Sequence, residues 1–295
     1  MAFLNWPGEY ADVPRAGTAA FMQPASNICL DLHGDPQRAR LQVFSDGNHH
    51  MALEQALREF LAAHPRAADV FYVTTPPRVV VEALQAGLIR IGNLTLTVSP
   101  HVFISPPEVL EKLAAEGRVR AHRAYARNLG SALLVTKANP KRIAGIADLA
   151  RADVRVFLSN PVTEAVSYQA YARTLRAVAS REGVELDFLD AAGAHPRVVH
   201  GEAIHHREAP QCVADGRADV AVVYHHLALR YTRIFPDIFA MLPLGRGAGS
   251  DSAHVVNDLH IGLVGDGGAW GARLVEFMTG ARVAAIYAGH GFTAA

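Results

Sequence analysis

The stretch LQVFSDGNHHMALEQAL, residues 41–57, places a strand, a turn and a helix in immediate succession. The apolar run 41–44 has the composition of a buried strand. After the turn, Leu53, Ala56 and Leu57 follow the i, i+3, i+4 spacing of one helix face. Strand, turn and helix in this order form the repeating unit of an α/β fold, and this turn carries two adjacent histidines, His49 and His50.

The same alternation continues along the chain. Strands are predicted at 41–45, 69–74, 94–98, 101–104, 131–136, 154–158, 186–189, 219–224 and 259–264. Helices are predicted at 50–63, 77–87, 106–116, 145–150, 164–182, 208–215, 268–279 and 281–289. The order favours an α/β fold with largely parallel sheets.

Length and charge limit the class of protein. With 295 residues the chain is too long for most single cores, so two lobes are expected. Lys plus Arg and Asp plus Glu both number 28, and this balance gives no electrostatic reason to expect a nucleic-acid partner. No apolar run approaches the roughly 18 residues that a membrane span needs.

The N-terminus and the cysteines leave the compartment open. MAFLNWPGEYADVPRAG has neither the basic start nor the apolar centre of a signal peptide. We therefore expect a periplasmic or extracellular location if a signal peptide was removed, and a cytoplasmic one if this N-terminus is native. Cys29 and Cys212 form no C-x-x-C motif, which favours two free thiols over a disulfide.

Polar residues stand where several helices are predicted to start. Asn48, Thr75, Ser105 and Thr163 each precede a predicted helix and could cap it. In an open α/β sheet such starts lie beyond the carboxyl ends of the strands, where ligands bind and free N–H groups attract anions. Ordinary capping and a shared anion site both remain open from spacing alone.

Four segments in order carry a resemblance to a known family. They are ISPPEVLEKLAAEGRV at 104–119, ARNLGSALLVTKANPKRIAGIADLARADVRVFLSNP at 126–161, VADGRADVAVVY at 213–224, and the C-terminal GARLVEFMTGARVAAIYAGHGFTAA. Together they resemble molybdate-type periplasmic solute-binding proteins from about residue 41 to the end. Residues 1–40 match no motif of this family.

The resemblance implies the type 2 periplasmic binding protein fold, with mixed sheets, helices on both faces and a ligand cleft between two α/β lobes. It places lobe 1 at 1–138 plus 243–295, with an irregular extension at 1–40, and lobe 2 at 139–242. It also implies capture of a small solute by hinge closure and delivery to an ABC transporter permease.

Carried over position by position, the resemblance implies an oxyanion site built from neutral donors. In lobe 1 the positions are Asn48, His49, Thr74 and Thr75. In lobe 2 they are the backbone near Val166 and Ser167, then His206 and the Tyr224 hydroxyl. No cofactor is required, and a molybdate- or tungstate-like ion is the expected ligand.

The histidine pairs support a second interpretation. His49, His50, His205 and His206, with Glu164 as a carboxylate, could instead bind a divalent metal such as Zn²⁺. Glu202 and Glu208 are further candidate carboxylates. Helix N-termini repel cations, so the retained electrostatics of the fold favour the oxyanion.

Two other classes of protein, an enzyme and a regulator that senses a ligand, have weaker support from the sequence. The chain has no G-x-S-x-G, H-E-x-x-H or Walker A motif, so only a histidine-based metal-dependent hydrolase would make it an enzyme. Residues 1–40 are interrupted by Pro and Gly and are not basic, so a DNA-binding module of a regulator is not expected. An intracellular ligand sensor without such a module remains the last alternative.

Overall fold

The computed structural model describes residues 4, 31–75, 77–91, 94–189, 195–202, 205–246 and 251–295. The strands are β1 (Asp31–His33), β2 (Leu41–Ser45), β3 (Val70–Thr74), β4 (Ile89–Ile91), β5 (Leu94–Leu96), β6 (Val102–Ser105), β7 (Val119–Asn128), β8 (Ser131–Thr136), β9 (Val156–Leu158), β10 (Val198–His200), β11 (Val220–Tyr224), β12 (Phe239–Leu242), β13 (Asp258–Val264) and β14 (Phe292–Thr293). The helices are α1 (His50–Ala63), α2 (Pro77–Ala86), α3 (Pro107–Ala115), α4 (Ile146–Leu149), α5 (Ala165–Glu182), α6 (His205–Ala214), α7 (His225–Ile234), α8 (Gly268–Met278) and α9 (Ala281–Gly289).

The chain divides into two compact units. The flanking unit comprises Ile28–Arg127 and Asn257–Ala295, and the central unit comprises Asn128–Val256 together with Met1–Asn27. The sequence predicted boundaries after residues 138 and 242. In the structure the first boundary lies after residue 127, 11 residues earlier, and the second lies after residue 256, 14 residues later. The first difference arises because β8 pairs with β11 and β12, both strands of the central unit.

The flanking unit is built on one sheet with the order β1-β3-β2-β6-β13-β7-β14. β2 runs parallel to β3 and β6, with Ser45 opposite both Thr74 and Ile104. The apolar side chains of β2 and the inner face of α1 are buried in the same core, including Leu41, Leu53 and Phe60. The carboxyl ends of three adjacent strands therefore lie along one edge of this sheet.

The central unit has a second sheet with the order β10-β9-β11-β8-β12. β9 runs parallel to β10 and β11, so the residues after these strands also share one edge. Buried side chains of β8, β9, β11 and α5 form its core. Cys212 lies in this core as a free thiol, whereas Cys29 lies outside the described residues.

Each unit is therefore α/β with a mixed sheet, as the resemblance implies. The largely parallel sheets expected from the order of elements are not found, because β8 and β13 pair antiparallel with both of their neighbours. The strand predicted at 186–189 is wrong, because Asp187–Leu189 forms a 3-10 turn. The structure adds α7 and the strands β1, β4, β7, β10, β12 and β14, which the apolar pattern missed. Leu4 donates its backbone N–H to the Gln211 side chain (3.2 Å), so this residue of the N-terminal extension contacts the central unit rather than the predicted lobe 1.

α6 begins at His205, three residues earlier than predicted, and it contains Pro210. Proline has no N–H, so the carbonyl of His206 receives no hydrogen bond from the position four residues later. The buried Tyr231 hydroxyl donates to this carbonyl instead. A side chain of α7 thus replaces the missing helix bond and holds the first turn of α6.

We expect Tyr231→Phe to lower the free energy of unfolding by about 1–3 kcal/mol, because it removes the donor from a partly buried carbonyl. The loss should shrink in a Pro210→Ala background, where the residue 210 N–H can bond to His206. Urea unfolding of the four proteins of this cycle measures the coupling. Equal losses of unfolding free energy in both backgrounds would contradict the interpretation that the Tyr231 hydrogen bond replaces the missing helix bond.

Candidate functional site

At the edge of the flanking sheet, two buried hydroxyls lack hydrogen-bond partners among the described residues. Thr75 follows β3 and Ser105 ends β6, and they are 2% and 0% exposed. Neither Thr75 Oγ1 nor Ser105 Oγ makes a hydrogen bond within the described residues. For Ser105 the reason is that the N-cap of α3 is Pro106, one residue later. Both hydroxyls, predicted as caps, are thus left as unsatisfied donors, a state that costs about 1–3 kcal/mol each without water or ligand.

These two hydroxyls follow strands that β2 separates. Neighbouring strands are about 4.8 Å apart, so the backbones of Thr75 and Ser105 are separated by about 10 Å. Thr75 is kept as the candidate donor of this unit because it is the position that the resemblance implies.

The predicted ligand His49 is buried inside the flanking unit. Its Nε2 lies 3.1 Å from Ser45 Oγ and its Nδ1 lies 2.9 Å from the Tyr287 hydroxyl. Tyr287 in turn lies 3.1 Å from the Tyr125 hydroxyl. One assignment of donors satisfies this series of hydrogen bonds: Tyr125 donates to Tyr287, Tyr287 donates to His49 Nδ1, and His49 Nε2–H donates to Ser45. Both ring nitrogens of His49 thus contact groups of the flanking unit, and its assignment as a ligand stays a prediction.

Asp46 is the buried carboxyl of this network. Its Oδ1 lies 3.4 Å from His49 Nε2, and the Asn48 backbone N–H donates to the carboxylate. Burial raises the pKa of Asp46 to about 7, and burial together with the neighbouring His50 lowers the pKa of His49 to about 3. Below pH 7 the contact therefore joins two neutral groups rather than an ion pair.

The remaining predicted residues of this unit have local roles. The N-cap of α1 is His49 without a side-chain bond, so Asn48 lies one residue outside the helix and does not cap it. His50 Nδ1 lies 3.2 Å from the Gly47 carbonyl. The Thr74 hydroxyl donates to Asp31 at 3.4 Å. Each contact stays within the flanking unit.

In the central unit, the positions implied near Val166 and Ser167 lie in the first turn of α5. The N-cap of this helix is Glu164, not Thr163, and it makes no side-chain capping bond. Val166 is 85% exposed. The first-turn backbone N–H groups have no acceptor within the helix, so they remain candidate donors.

The N-terminus of α6 already holds a carboxylate. Glu164 Oε2 accepts a hydrogen bond from the His205 backbone N–H at 2.9 Å. Burial and the like charge of Glu208 raise the pKa of Glu164 to about 7. His206, the implied backbone contact, is the next residue of the same turn. The anion site expected at this helix is thus occupied by a side chain of the protein itself.

Two buried groups beside this helix end have no partner among the described residues. Ser159, directly after β9, is fully buried and its hydroxyl makes no hydrogen bond. His205 stacks on Phe157 with ring centroids 5.2 Å apart, and its Nε2 makes no hydrogen bond. Burial lowers the pKa of His205 to about 3, so the ring is neutral at physiological pH.

Tyr224 ends β11 and is the N-cap residue of α7. Its ring lies 4.9 Å from the Tyr171 ring and stacks on His226 at 5.6 Å. β11 is adjacent to β9, so Tyr224 shares an edge of the sheet with Ser159. The central unit thus brings Tyr224, Ser159, Glu164 and His205 to the ends of neighbouring elements.

The described residues contain no preformed metal-binding cluster that would support the metal alternative. Within the described ranges, no three His, Cys, Asp or Glu side chains are arranged to hold a metal ion. His50 and His206 lie in different units from each other, and His49 is committed to Tyr287 and Ser45. The assignment of site residues stays a prediction.

Sequence reasoning missed Asp46 and Ser159. Asp46 stands in Ser-Asp-Gly, a pattern typical of a solvent-exposed turn, and nothing local marks it as buried. Ser159 stands in the Leu-Ser-Asn-Pro end of a strand, and its position one residue after β9 was the available signal.

A family model described as bacterial extracellular solute-binding protein matches residues 41–293. The match covers the range over which the motifs carry the resemblance. A search of curated proteins by sequence gave no match.

Solved structures resemble the fold over most of the chain. The substrate-binding domain assigned to a molybdenum ABC transporter from Clostridium difficile has 13% identity and a TM-score of 0.62, with coverage of 86% of this chain and 97% of the other. The periplasmic molybdate-binding protein of Azotobacter vinelandii has 20% identity and a TM-score of 0.56, covering 86% and 98%. Iron-bound HitA of Pseudomonas aeruginosa has 12% identity and a TM-score of 0.57, covering 85% and 84%. At these identities the likeness shows the fold alone.

We expect Asp46→Asn to change the pH dependence of stability. Because the pKa of Asp46 is raised from 3.8 to about 7, its contribution is fully present below pH 4 and is lost as the pH rises through 7. The variant keeps an acceptor for the Asn48 N–H but has no proton to lose. Between pH 5 and pH 8 its stability relative to the wild type should rise by about 3 kcal/mol.

Urea unfolding at pH 5, 6, 7 and 8 measures this difference. The matched control is Asp237→Asn, the same substitution at a carboxyl that is 96% exposed. A constant difference for Asp46→Asn would show that this carboxyl is ionised throughout.

Proposed function

Since the chain belongs to the bacterial extracellular solute-binding protein family, we propose that it captures a small oxyanion of the molybdate or tungstate kind. The family is one of binding proteins, so the chain is a solute-binding protein and not an enzyme. Delivery of the ion to an ABC transporter permease, and a location outside the cytoplasm, are part of the same proposal.

The Thr75 hydroxyl is the observation that carries the proposal. It is buried at the end of β3, and it has no partner among the described residues. Buried donors in native proteins are satisfied by protein, water or ligand. An oxyanion would accept from this hydroxyl at the position that the resemblance assigns to a ligand-binding serine.

Neutral donors suit a small oxyanion. Hydrogen bonds to a charged acceptor are roughly twice as strong as neutral ones, and helix N-termini add a favourable dipole. Tyr224, Ser159 and the first-turn N–H groups of α5 supply further donors in the central unit. An oxyanion held this way needs no lysine or arginine as a full countercharge.

A divalent metal such as Zn²⁺ is the second candidate. The observation that favours it is the half-buried Glu164 beside the buried His205, whose Nε2 has no partner within the described part of the chain. One structural neighbour, HitA of Pseudomonas aeruginosa, is iron-bound. None of the helices in the described residues is long and apolar enough to cross a membrane.

A thermal-shift screen should separate the two candidates. We expect molybdate or tungstate to raise the melting temperature more than Zn²⁺, sulfate or phosphate do. At about 100 times the Kd, linkage stabilises the folded state by about 2.7 kcal/mol. A larger shift with Zn²⁺ than with each oxyanion would favour the metal and contradict the proposal.

Thr75→Ala and Tyr224→Phe should each weaken binding of the oxyanion by roughly 10- to 100-fold, because each removes one charge-assisted donor worth about 1.5–3 kcal/mol. Titration calorimetry measures the affinity, and circular dichroism checks that both variants fold. Thr279→Ala is the control, because its hydroxyl already donates to the Val275 carbonyl within a helix end. Unchanged affinity in both test variants would remove Thr75 and Tyr224 from the site.

A further inference from the structure

Two histidines that are 138 residues apart in the sequence meet on one face of the flanking sheet. His122 lies on β7 and His260 lies on β13, and their Nδ1 atoms are 2.8 Å apart. The ring centroids are 5.0 Å apart, and both residues are half-buried. Neither histidine belongs to the candidate site described above. Two ring nitrogens thus converge on one point between side chains that stay partly exposed.

The pairing of β13 with β7 explains why the two rings meet. The strands are antiparallel, with Gly262 opposite His122 and His260 opposite Ala124, so the histidines are diagonal neighbours on one face. A Cβ at position 262 would lie 3.1 Å from His122 Cβ, so glycine leaves room for the His122 side chain. The register also shifts between Leu259 and His260, and an irregularity of this kind re-aims a side chain.

The contact between the two Nδ1 atoms requires one proton and one lone pair. One ring donates from Nδ1–H, and the other accepts. Burial and the neighbouring His122 lower the pKa of His260 below its usual value, so this ring is neutral at physiological pH. A neutral imidazole is also the form that binds a metal ion. If the proton of the donating ring moves through solvent to its own Nε2, both Nδ1 lone pairs become free to bind one ion, and no proton is gained or lost.

The distance between the two nitrogens fits two adjacent ligands of one ion. Bonds of about 2.0 Å from a metal to two imidazole nitrogens, set at about 90°, place the nitrogens about 2.8 Å apart. A tetrahedral angle would place them about 3.3 Å apart, so the rings would have to separate. Cu²⁺ and Ni²⁺ adopt square-planar or tetragonal geometry with nitrogen and oxygen ligands, whereas Zn²⁺ is mostly tetrahedral. The pair therefore suits Cu²⁺ and Ni²⁺ better than Zn²⁺.

Three carboxylates near the pair favour a cation. Asp258, Glu111 and Glu108 each act on His260 in the direction that raises its pKa, as negative charges do. Glu108 and Glu111 lie one turn apart on α3, which packs on β13. Asp258 is also paired with Arg127, so the two glutamates of α3 supply most of the negative charge that attracts a cation to this face.

We propose that His122 and His260 bind one Cu²⁺ or Ni²⁺ ion through their Nδ1 atoms, with water at the remaining coordination positions. Within the described ranges no third His, Cys, Asp or Glu side chain is arranged to bind the same ion. The affinity of nitrogen ligands for divalent ions rises from Ni²⁺ to Cu²⁺ and falls again at Zn²⁺, so Cu²⁺ is the ion bound most tightly. This site goes beyond the proposed capture of an oxyanion and does not rest on it.

Calorimetric titration of the full chain with Cu²⁺, and separately with Ni²⁺ and Zn²⁺, tests the proposal. The test variants are His122→Asn and His260→Asn, because an asparagine amide can keep the hydrogen bond between the strands but is a poor metal ligand. We expect each variant to lose at least about tenfold in affinity for Cu²⁺. His290→Asn is the control, because it removes a histidine that contacts Gln55 instead, and it should keep the affinity of the wild type. Circular dichroism and the melting temperature establish that the three variants fold.

Electron paramagnetic resonance of the Cu²⁺ complex identifies the ligands directly. We expect the spectrum of the wild type to show hyperfine coupling to two imidazole nitrogens in the plane of the ion. His122→Asn and His260→Asn should each show coupling to one such nitrogen at most, and His290→Asn should match the wild type.

Three outcomes would overturn the proposal. The first is equal affinity for Cu²⁺ in the wild type and in both test variants. The second is loss of the ion in Glu164→Gln while both test variants still bind it, which would place the ion at the second candidate site, in the central unit. The third is tighter binding of Zn²⁺ than of Cu²⁺, which would contradict the geometry of two adjacent ligands. None of these outcomes bears on the capture of an oxyanion, which the screen with molybdate and tungstate tests by itself.

Discussion

The parallel pairing of β2 with its two neighbours is the constraint on which the flanking unit depends. Because Ser45 lies opposite Thr74 on one side and Ile104 on the other, the three strands end at one edge. That register puts Thr75, Asp46 and Ser105 side by side, although they are far apart in sequence. A one-residue slip of β2 would turn its buried side chains to the other face of the sheet, and the three strand ends would no longer be aligned.

Both units leave some buried polar groups at these edges without a partner among the described residues. In the flanking unit the ring nitrogens of His49 contact Ser45 and Tyr287, whereas Asp46 Oδ1, Thr75 Oγ1 and Ser105 Oγ make no hydrogen bond. In the central unit Glu164 accepts from the backbone N–H groups of His205 and Asn160, while Ser159 and His205 keep unsatisfied atoms. Buried polar groups in a closed network stiffen a structure, whereas incompletely satisfied groups are the ones that exchange partners with a ligand.

The sequence predicted the elements whose signal is local. Residues 41–45 and 50–63 follow strand and helix periodicity, and the structure has both elements. β7 escaped detection because Arg120, Arg123 and Arg127 are exposed along it, which breaks the alternation expected of a half-buried strand. The 3-10 turn at Asp187–Leu189 was mistaken for a strand because three residues are too few to separate the two periodicities.

The site was less predictable because its contacts are distant in sequence. The bond from His205 to Glu164 spans 41 residues, and the contact of His49 with Tyr287 spans 238. Motif order located the loops, but it could not tell that one histidine of the first pair is part of the core. Nor could it tell that a glutamate would lie on a helix end where an anion was expected.

The discontinuous make-up of the flanking unit has a consequence for biosynthesis. β13 lies in the interior of its sheet, between β6 and β7, yet it comes from Asp258–Val264 near the end of the chain. The ribosome therefore completes the contiguous strands and helices of residues 128–256 before the outer sheet has its middle strand. Until residue 264 emerges, β6 and β7 lack the strand that pairs with both of them, and unpaired strand edges of this kind are prone to aggregation.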